Sequence, residues 1–283
     1  MTTEPQVSPT GKFKAGLVQM RSGRTPEANV TAAEALIRSA AARGAQYVQT
    51  PEVTTLMDLD RERLFANTLP EAGNPALARF TQLARDLGIW LHIGSMGVRE
   101  GGRIANRSYL IGPDGEIAAR YDKIHMFDVT LANGETYHES ASYKAGTRAV
   151  VTSLPWGKLG LTICYDLRFP KLHQALASAG AGMLAVPAAF TRPTGEAHWH
   201  TLLRARAIET GSFVFAAAQG GLHEHGRETY GHSLIVSPWG TILAEGGVEP
   251  GVITANIDMA EVAAVRARIP CLAQGCAFEI EVQ

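Results

Sequence analysis

From Phe13 onward, short apolar runs alternate with helical patterns, and turn signals repeatedly break the alternation. This rhythm constrains the fold more than any single motif. Phe13–Met20 reads as a strand buried on both faces. Pro26 opens a helix in which Val30, Ala33, Ile37 and Ala40 recur at helical spacing, with Gly44 placed to end it. Residues 47–50 form a short strand that stops at Pro51-Glu52. Asn74 caps a second helix with Leu77, Phe80, Leu83 and Leu87 on one face, and Gly88 closes it before a strand at 89–95. Hairpin signals follow at Glu100-Gly101-Gly102 and Pro113-Asp114-Gly115. Residues 122–146 have no period and read as a long loop, a feature that is usually functional when it occurs in a compact domain. Two strands flank Pro155-Trp156-Gly157. Beyond them the pattern predicts helices near 170–179, 196–210 and 259–268, and strands near 183–187, 213–218, 233–236, 241–244 and 252–257. Pro-Trp-Gly returns at 238–240, a hint of two related halves. Strands interleaved with helices and broken by hairpins predict an α/β layered sandwich with mixed, not purely parallel, sheets.

No linker composition appears after residue 12. Residues 1–12 are expected to be a loose polar tail and 13–283 a single domain. The tail lacks the apolar stretch of a secretory signal. The longest uncharged run, from Leu172 to Thr191, is split by Gly180, Gly182 and Pro187 and does not read as a membrane span. Lys plus Arg total 26 against 27 for Asp plus Glu. That balance leaves no broad electrostatic footprint for nucleic acid or an anionic membrane. Three cysteines are too few and too scattered for a disulfide framework, which points to a reducing, cytoplasmic setting.

Cys164 stands where an apolar strand meets Tyr165-Asp166-Leu167-Arg168-Phe169-Pro170 and then a helix. A lone cysteine is most often a small buried hydrophobe. A strand-to-helix turn, however, aims a side chain outward and offers backbone N–H groups to a developing oxyanion. A nucleophilic thiol also needs a base. Glu52 ends the second strand, Lys123 follows the strand at 117–121, and Glu139 sits in the long loop. Taken singly, these read as a loop carboxylate, a snorkelling lysine and a solvated charge. Other patterns fail. Residues 180–185, GAGMLA, follow a helix and precede a strand, the reverse of a dinucleotide fingerprint. His198 and His200 diverge if their segment is helical, and neither they nor His223, His225 and His232 match a zinc spacing, so no metal is expected. Cys271 and Cys276 read as bystander thiols.

Read together, Glu52, Lys123, Glu139 and Cys164 resemble the nitrilase superfamily of carbon–nitrogen hydrolases. The carrying motifs are TPE at 50–52, YDKIHMFDV at 121–129, HES at 138–140 and GLTICYDLRFP at 160–170. GEAHWHTLLRARAIET at 195–210 and YGHSLIVSPWGTI at 230–242 also match. The resemblance spans roughly residues 13–257. It implies a four-layer α-β-β-α sandwich and an amidase that works through a cysteine thioester. Cys164 is then the nucleophile, Glu52 the general base and acid, and Lys123 with the Tyr165 N–H the oxyanion donors, while Glu139 orients Lys123. CYDxRFP resembles the branch acting on α-keto acid amides. LLRARAIET with AAAQ at 216–219 sits closer to deaminated glutathione amidases than to omega-amidases or N-carbamoyl amide hydrolases. A non-catalytic scaffold of the same fold is disfavoured by retention of all four polar positions.

No cofactor is implied. The shared acyl half of the candidate substrates carries a carboxylate, so a pocket cation is expected. Arg168 is the candidate, against a bland ion pair with Asp166; Phe190 and Thr191 are candidate pocket walls, and Arg192 in FTRP is an open question for the pocket. The family commonly forms homodimers, for which the helix near 259–265 is a candidate surface.

Overall fold

The computed structural model describes residues 11–131 and 134–283. Most of the predicted tail lies outside the described residues, and Lys12 already belongs to the first strand, Lys12–Gln19. Two sheets stack face to face. The first runs, in spatial order, Gly251–Asp258, Lys12–Gln19, Tyr47–Gln49, Trp90–Glu100, Arg103–Ile111 and Ile117–Asp122, with Tyr143–Lys144 also paired to Arg103–Ile111. The second runs Val150–Leu154, Gly157–Leu161, Met183–Ala185, Phe213–Ala216, Leu234–Val236 and Ile242–Glu245. In each sheet the second, third and fourth of these strands are parallel and the flanking pairings antiparallel. The two sheets thus share one pattern of strand directions, although the edge strand beside the parallel set comes from the end of the chain in the first sheet and from a hairpin in the second. The repeated Pro-Trp-Gly is not the marker of that pattern, because both turns close hairpins within the second sheet.

Side-chain alternation builds the layers. Phe13, Ala15, Leu17 and Tyr47 point between the sheets, where Phe13 and Tyr47 meet Phe215 at ring distances of 6.3 and 5.3 Å. Val18 and Val48 face the other way, onto Val30, Ala33 and Ile37 of helix Pro26–Ala42 and Leu77, Phe80 and Leu83 of helix Pro75–Leu87. Helices Pro170–Ser178 and Arg192–Thr210 cover the far face of the second sheet through Leu172, Leu176, Trp199, Leu203 and Ala207. The result is the expected four-layer helix–sheet–sheet–helix sandwich.

Several local expectations need correction. Residues 122–146 are not a featureless loop. Asp128–Thr130 pairs with Thr136–His138, and a 3-10 turn spans Glu139–Ala141. Both strands are short and largely exposed, so no apolar period marks them. Helix Arg61–Asn67 escaped prediction because it buries only Leu64; its signal is the Asp60 cap on the Arg63 N–H. Helix Arg192–Thr210 starts before residue 196, with Pro193 in its first turn. A small hairpin, Gly220–Leu222 with Glu228–Tyr230, was not anticipated and carries Arg227 at its turn. Helix Ala260–Arg268 turns Val262 into the core, so that apolar residue is already used within the chain. No described helix is long and apolar enough to cross a membrane.

Candidate active site

The segments that follow strands Tyr47–Gln49, Gly157–Leu161 and Met183–Ala185 meet around one cavity of about 360 Å³. Its lining brings together Glu52, Lys123, Glu139, Cys164, Tyr165, Arg168, Phe190 and Thr191. Every residue that the sequence proposed for the site is there. Arg192 is not; it lies outside, paired with Glu196 and Glu228.

Glu52 follows strand Tyr47–Gln49 on a strained turn. Val53, next to it, has φ of 51°, a costly conformation for a β-branched residue. Ser95 holds it there, its Oγ accepting from the Val53 N–H at 2.9 Å and its carbonyl from the Thr54 N–H at 2.9 Å. Gln219, from the AAAQ stretch, donates to the Glu52 carbonyl at 2.9 Å. The backbone here leaves no room. A Cβ at Gly94 would lie 2.1 Å from the Thr50 carbonyl oxygen and 2.5 Å from Pro187 Cβ, so a glycine is required where the two sheets meet beneath the site.

Lys123 is buried, with side-chain exposure of 2%. Its Nζ donates to Glu52 Oε1 at 2.9 Å and to Glu139 Oε2 at 2.8 Å. Asn106 Nδ2 reaches the same two carboxylates at 3.0 and 3.3 Å. The Phe127 N–H donates to Glu139 Oε2 at 2.7 Å. Burial alone would neutralise these groups, but the charges sustain one another. Burial raises the Glu52 carboxyl, yet the Lys123 charge and hydrogen bond override it and hold it below the usual range. Burial likewise lowers Lys123, and Glu139 and Glu52 outweigh it and push the ammonium well above its ordinary value.

Cys164 has φ of 49°, one of three described non-glycine residues in the left-handed region. Its N–H donates to the Pro187 carbonyl at 2.9 Å. Asp166, fully buried two residues on, fixes the turn. It accepts from the Ile163 N–H at 2.9 Å, the Tyr121 hydroxyl at 2.6 Å and the His125 N–H at 3.0 Å. Burial, then the nearby Glu52 charge, pushes the Cys164 thiol well above its ordinary pKa, so it rests protonated beside the Glu52 carboxylate. The Ala189 N–H partly offsets that rise at the sulfur. The arrangement holds a neutral thiol against an ionised carboxylate, with an ammonium beside both.

Arg168 forms no ion pair with Asp166. Its guanidinium stands 5.3 Å from the Phe190 ring and 3.3 Å from His198 Nδ1. Thr191 Oγ1 meets Thr194 Oγ1 at 2.8 Å. Asn106, Tyr143, Arg61 and Arg227 also line the cavity and were missed. Asn106 had one usable signal, a lone amide within the otherwise buried strand Arg103–Ile111. Arg227 had none, because its hairpin was not foreseen. His198 and His200 diverge on their helix, and His200 joins His232 and Glu245 in a cluster outside the cavity lining, where Glu245 Oε1 lies 2.9 Å from each ring. Cys271 and Cys276 are exposed and free.

The sequence profile described as carbon-nitrogen hydrolase matches residues 14–267. The deaminated glutathione amidase of Synechocystis is 41% identical over 266 residues, covering 92% of this chain and 97% of its own. A human omega-amidase is 32% identical over 262 residues, covering 93% and 94%. The crystal structure of the C. elegans NitFhit protein superposes with a TM-score of 0.87 and 35% identity over 95% of this chain, which spans 66% of that longer protein. The chain belongs to the carbon-nitrogen hydrolase family.

Proposed function

We propose that the protein is an amidase that hydrolyses deaminated glutathione to 2-oxoglutarate and Cys-Gly through a thioester on Cys164. The observation that carries this reading is the buried thiol of Cys164, held in strained backbone beside a carboxylate that Lys123 keeps ionised. Glu52 takes the thiol proton as sulfur bonds to the amide carbon. The carbonyl oxygen gains the negative charge, which Lys123 Nζ and the Tyr165 N–H stabilise. Glu52 returns its proton to the nitrogen, the C–N bond breaks and the amine leaves. Glu52 then deprotonates a water that attacks the thioester, and the thiol is restored. Glu139 holds Lys123 in place from the far side.

The second reading, an omega-amidase acting on 2-oxoglutaramate, makes the same thioester and releases ammonia. The 41% identity to a deaminated glutathione amidase, against 32% to an omega-amidase, supports the first choice. Comparing kcat/KM for the two amides tests it. A preference for deaminated glutathione is expected, and a large preference for 2-oxoglutaramate reverses the order. The same reading makes the protein a cytoplasmic homodimer that needs no cofactor. Three unpaired thiols suit a reducing compartment, and sedimentation equilibrium reads the assembly directly.

A further inference from the structure

Four cations and three carboxylates line the cavity. The carboxylates are all committed: Glu52 and Glu139 to Lys123, and Asp58 to Arg63 at 2.8 Å. Among the described residues, Arg61, Arg168 and Arg227 make no ion pair, so the cavity carries positive charge without a partner. Arg61 is exposed and stands 5.6 Å from the Phe65 ring.

Arg227 lies close enough to the reacting groups for its charge to help lower the Glu52 carboxyl. Its Nη2 donates to the Ala189 carbonyl at 2.5 Å, and its guanidinium stands 5.1 Å from the Tyr137 ring. Its Nε is buried with no hydrogen-bond partner. An arginine donor left buried and unpaired is costly, and one lining a cavity is satisfied when an anion enters. Ala189 supplies the scale, since its N–H faces the Cys164 sulfur while its carbonyl holds Arg227. One residue between them puts the guanidinium within about 10 Å of the sulfur. A carboxylate four bonds from the reacting carbon lies about 5 Å beyond it, within reach of that guanidinium.

We propose that Arg227, held between Ala189 and Tyr137, is a second carboxylate-binding residue of the cavity and selects anionic over neutral amides. The proposal rests on the amidase reading and adds a residue that the sequence did not offer. Arg168, the expected pocket cation, lines the same cavity beside Phe190 and His198. Two cations suit a substrate with a carboxylate on each side of the scissile bond, as deaminated glutathione has.

The test compares wild type, Arg227→Met and Arg227→Lys on three amides: deaminated glutathione, 2-oxoglutaramate and uncharged valeramide. Arg227→Met is expected to lower the ratio of anionic to neutral kcat/KM about 30-fold or more, mostly through KM, and Arg227→Lys to restore part of it. Loss on both anionic amides assigns Arg227 to the acyl carboxylate. Loss on deaminated glutathione alone assigns it to the leaving-group carboxylate. An equal loss on all three amides, with a shift in the acid limb of the pH profile, means that Arg227 acts only on Glu52 and overturns the proposal. Calorimetric titration of 2-oxoglutarate into each protein needs no turnover and separates this proposal from the amidase reading. Binding to wild type that weakens in Arg227→Met supports the acyl-side subsite, equal binding with loss on deaminated glutathione alone places Arg227 on the leaving-group side, and equal binding with an unchanged anionic-to-neutral kcat/KM ratio overturns the proposal.

Discussion

The first-sheet half and the second-sheet half of the molecule share a pattern of strand directions but give the site different kinds of chemistry. The first half supplies Glu52, Asn106, Lys123 and Glu139, charged or polar groups whose hydrogen bonds are largely met before any substrate arrives. The second supplies Cys164, Arg168 and Arg227, a protonated thiol in strained backbone and two arginines without counter-ions. One half is a preorganised electrostatic frame, and the other holds the nucleophile and two cations without counter-ions. Catalysis of the proposed kind needs both, because a fixed frame lowers the energy of charge that develops only after the thiol attacks.

Removing groups from each half breaks the comparison in different ways. Cys164→Ala is expected to abolish amide turnover, by about 10⁴-fold or more, with little effect on stability because the cavity has room. Stopped assays with mass analysis of the product check this. Glu52→Gln comes next, about 10³-fold in kcat, and it also slows iodoacetamide labelling of Cys164 because the thiol loses its base. Peptide mapping separates that label from the exposed Cys271 and Cys276. Lys123→Met costs about 10²–10³-fold in rate. It differs from the other two by destabilising the fold about 3–5 kcal/mol, since Glu52 and Glu139 are left buried without their cation. Urea unfolding at neutral pH measures that loss. Tyr121→Phe, which takes one donor from Asp166, is the smallest change, about 1–3 kcal/mol of stability with kcat following the loosened turn.

The frame also sets a pH window. Glu52 is depressed, so its contribution to stability is present above the ordinary carboxyl range and is lost as pH falls through its lowered value. Lys123 is raised, so its contribution is complete below the ordinary lysine value and is lost only as pH rises through the higher one. Stability and kcat/KM are therefore expected to hold across neutral pH and to fall first on the acid side. In Lys123→Met the Glu52 carboxyl moves up, and the acid limb moves up with it.

The layered fold was legible because periodicity reports burial. Val30, Ala33 and Ile37 mark one helix face, and the apolar strands mark sheets covered on both sides. The four residues at the centre were legible only as a set. No single one of Glu52, Lys123 or Glu139 differs in sequence from an ordinary surface charge; their burial arises from strands far apart in the chain. Arg227 was not legible, because it acts through tertiary contacts and sits in a segment whose local pattern says nothing about a cavity, and Asn106 showed only as the one amide of its strand. Residues 122–146 escaped for the same reason. Their strands are short and exposed, and what fixes them is the anchoring of Glu139 to Lys123 and the Phe127 N–H.

Joining the two halves has one direct readout, rapid-quench intact mass of the protein with deaminated glutathione. The account predicts a transient 2-oxoglutaryl adduct on the peptide containing Cys164, formed in wild type and absent from Cys164→Ala. Turnover that proceeds with no adduct, and that survives in Cys164→Ala, would contradict it.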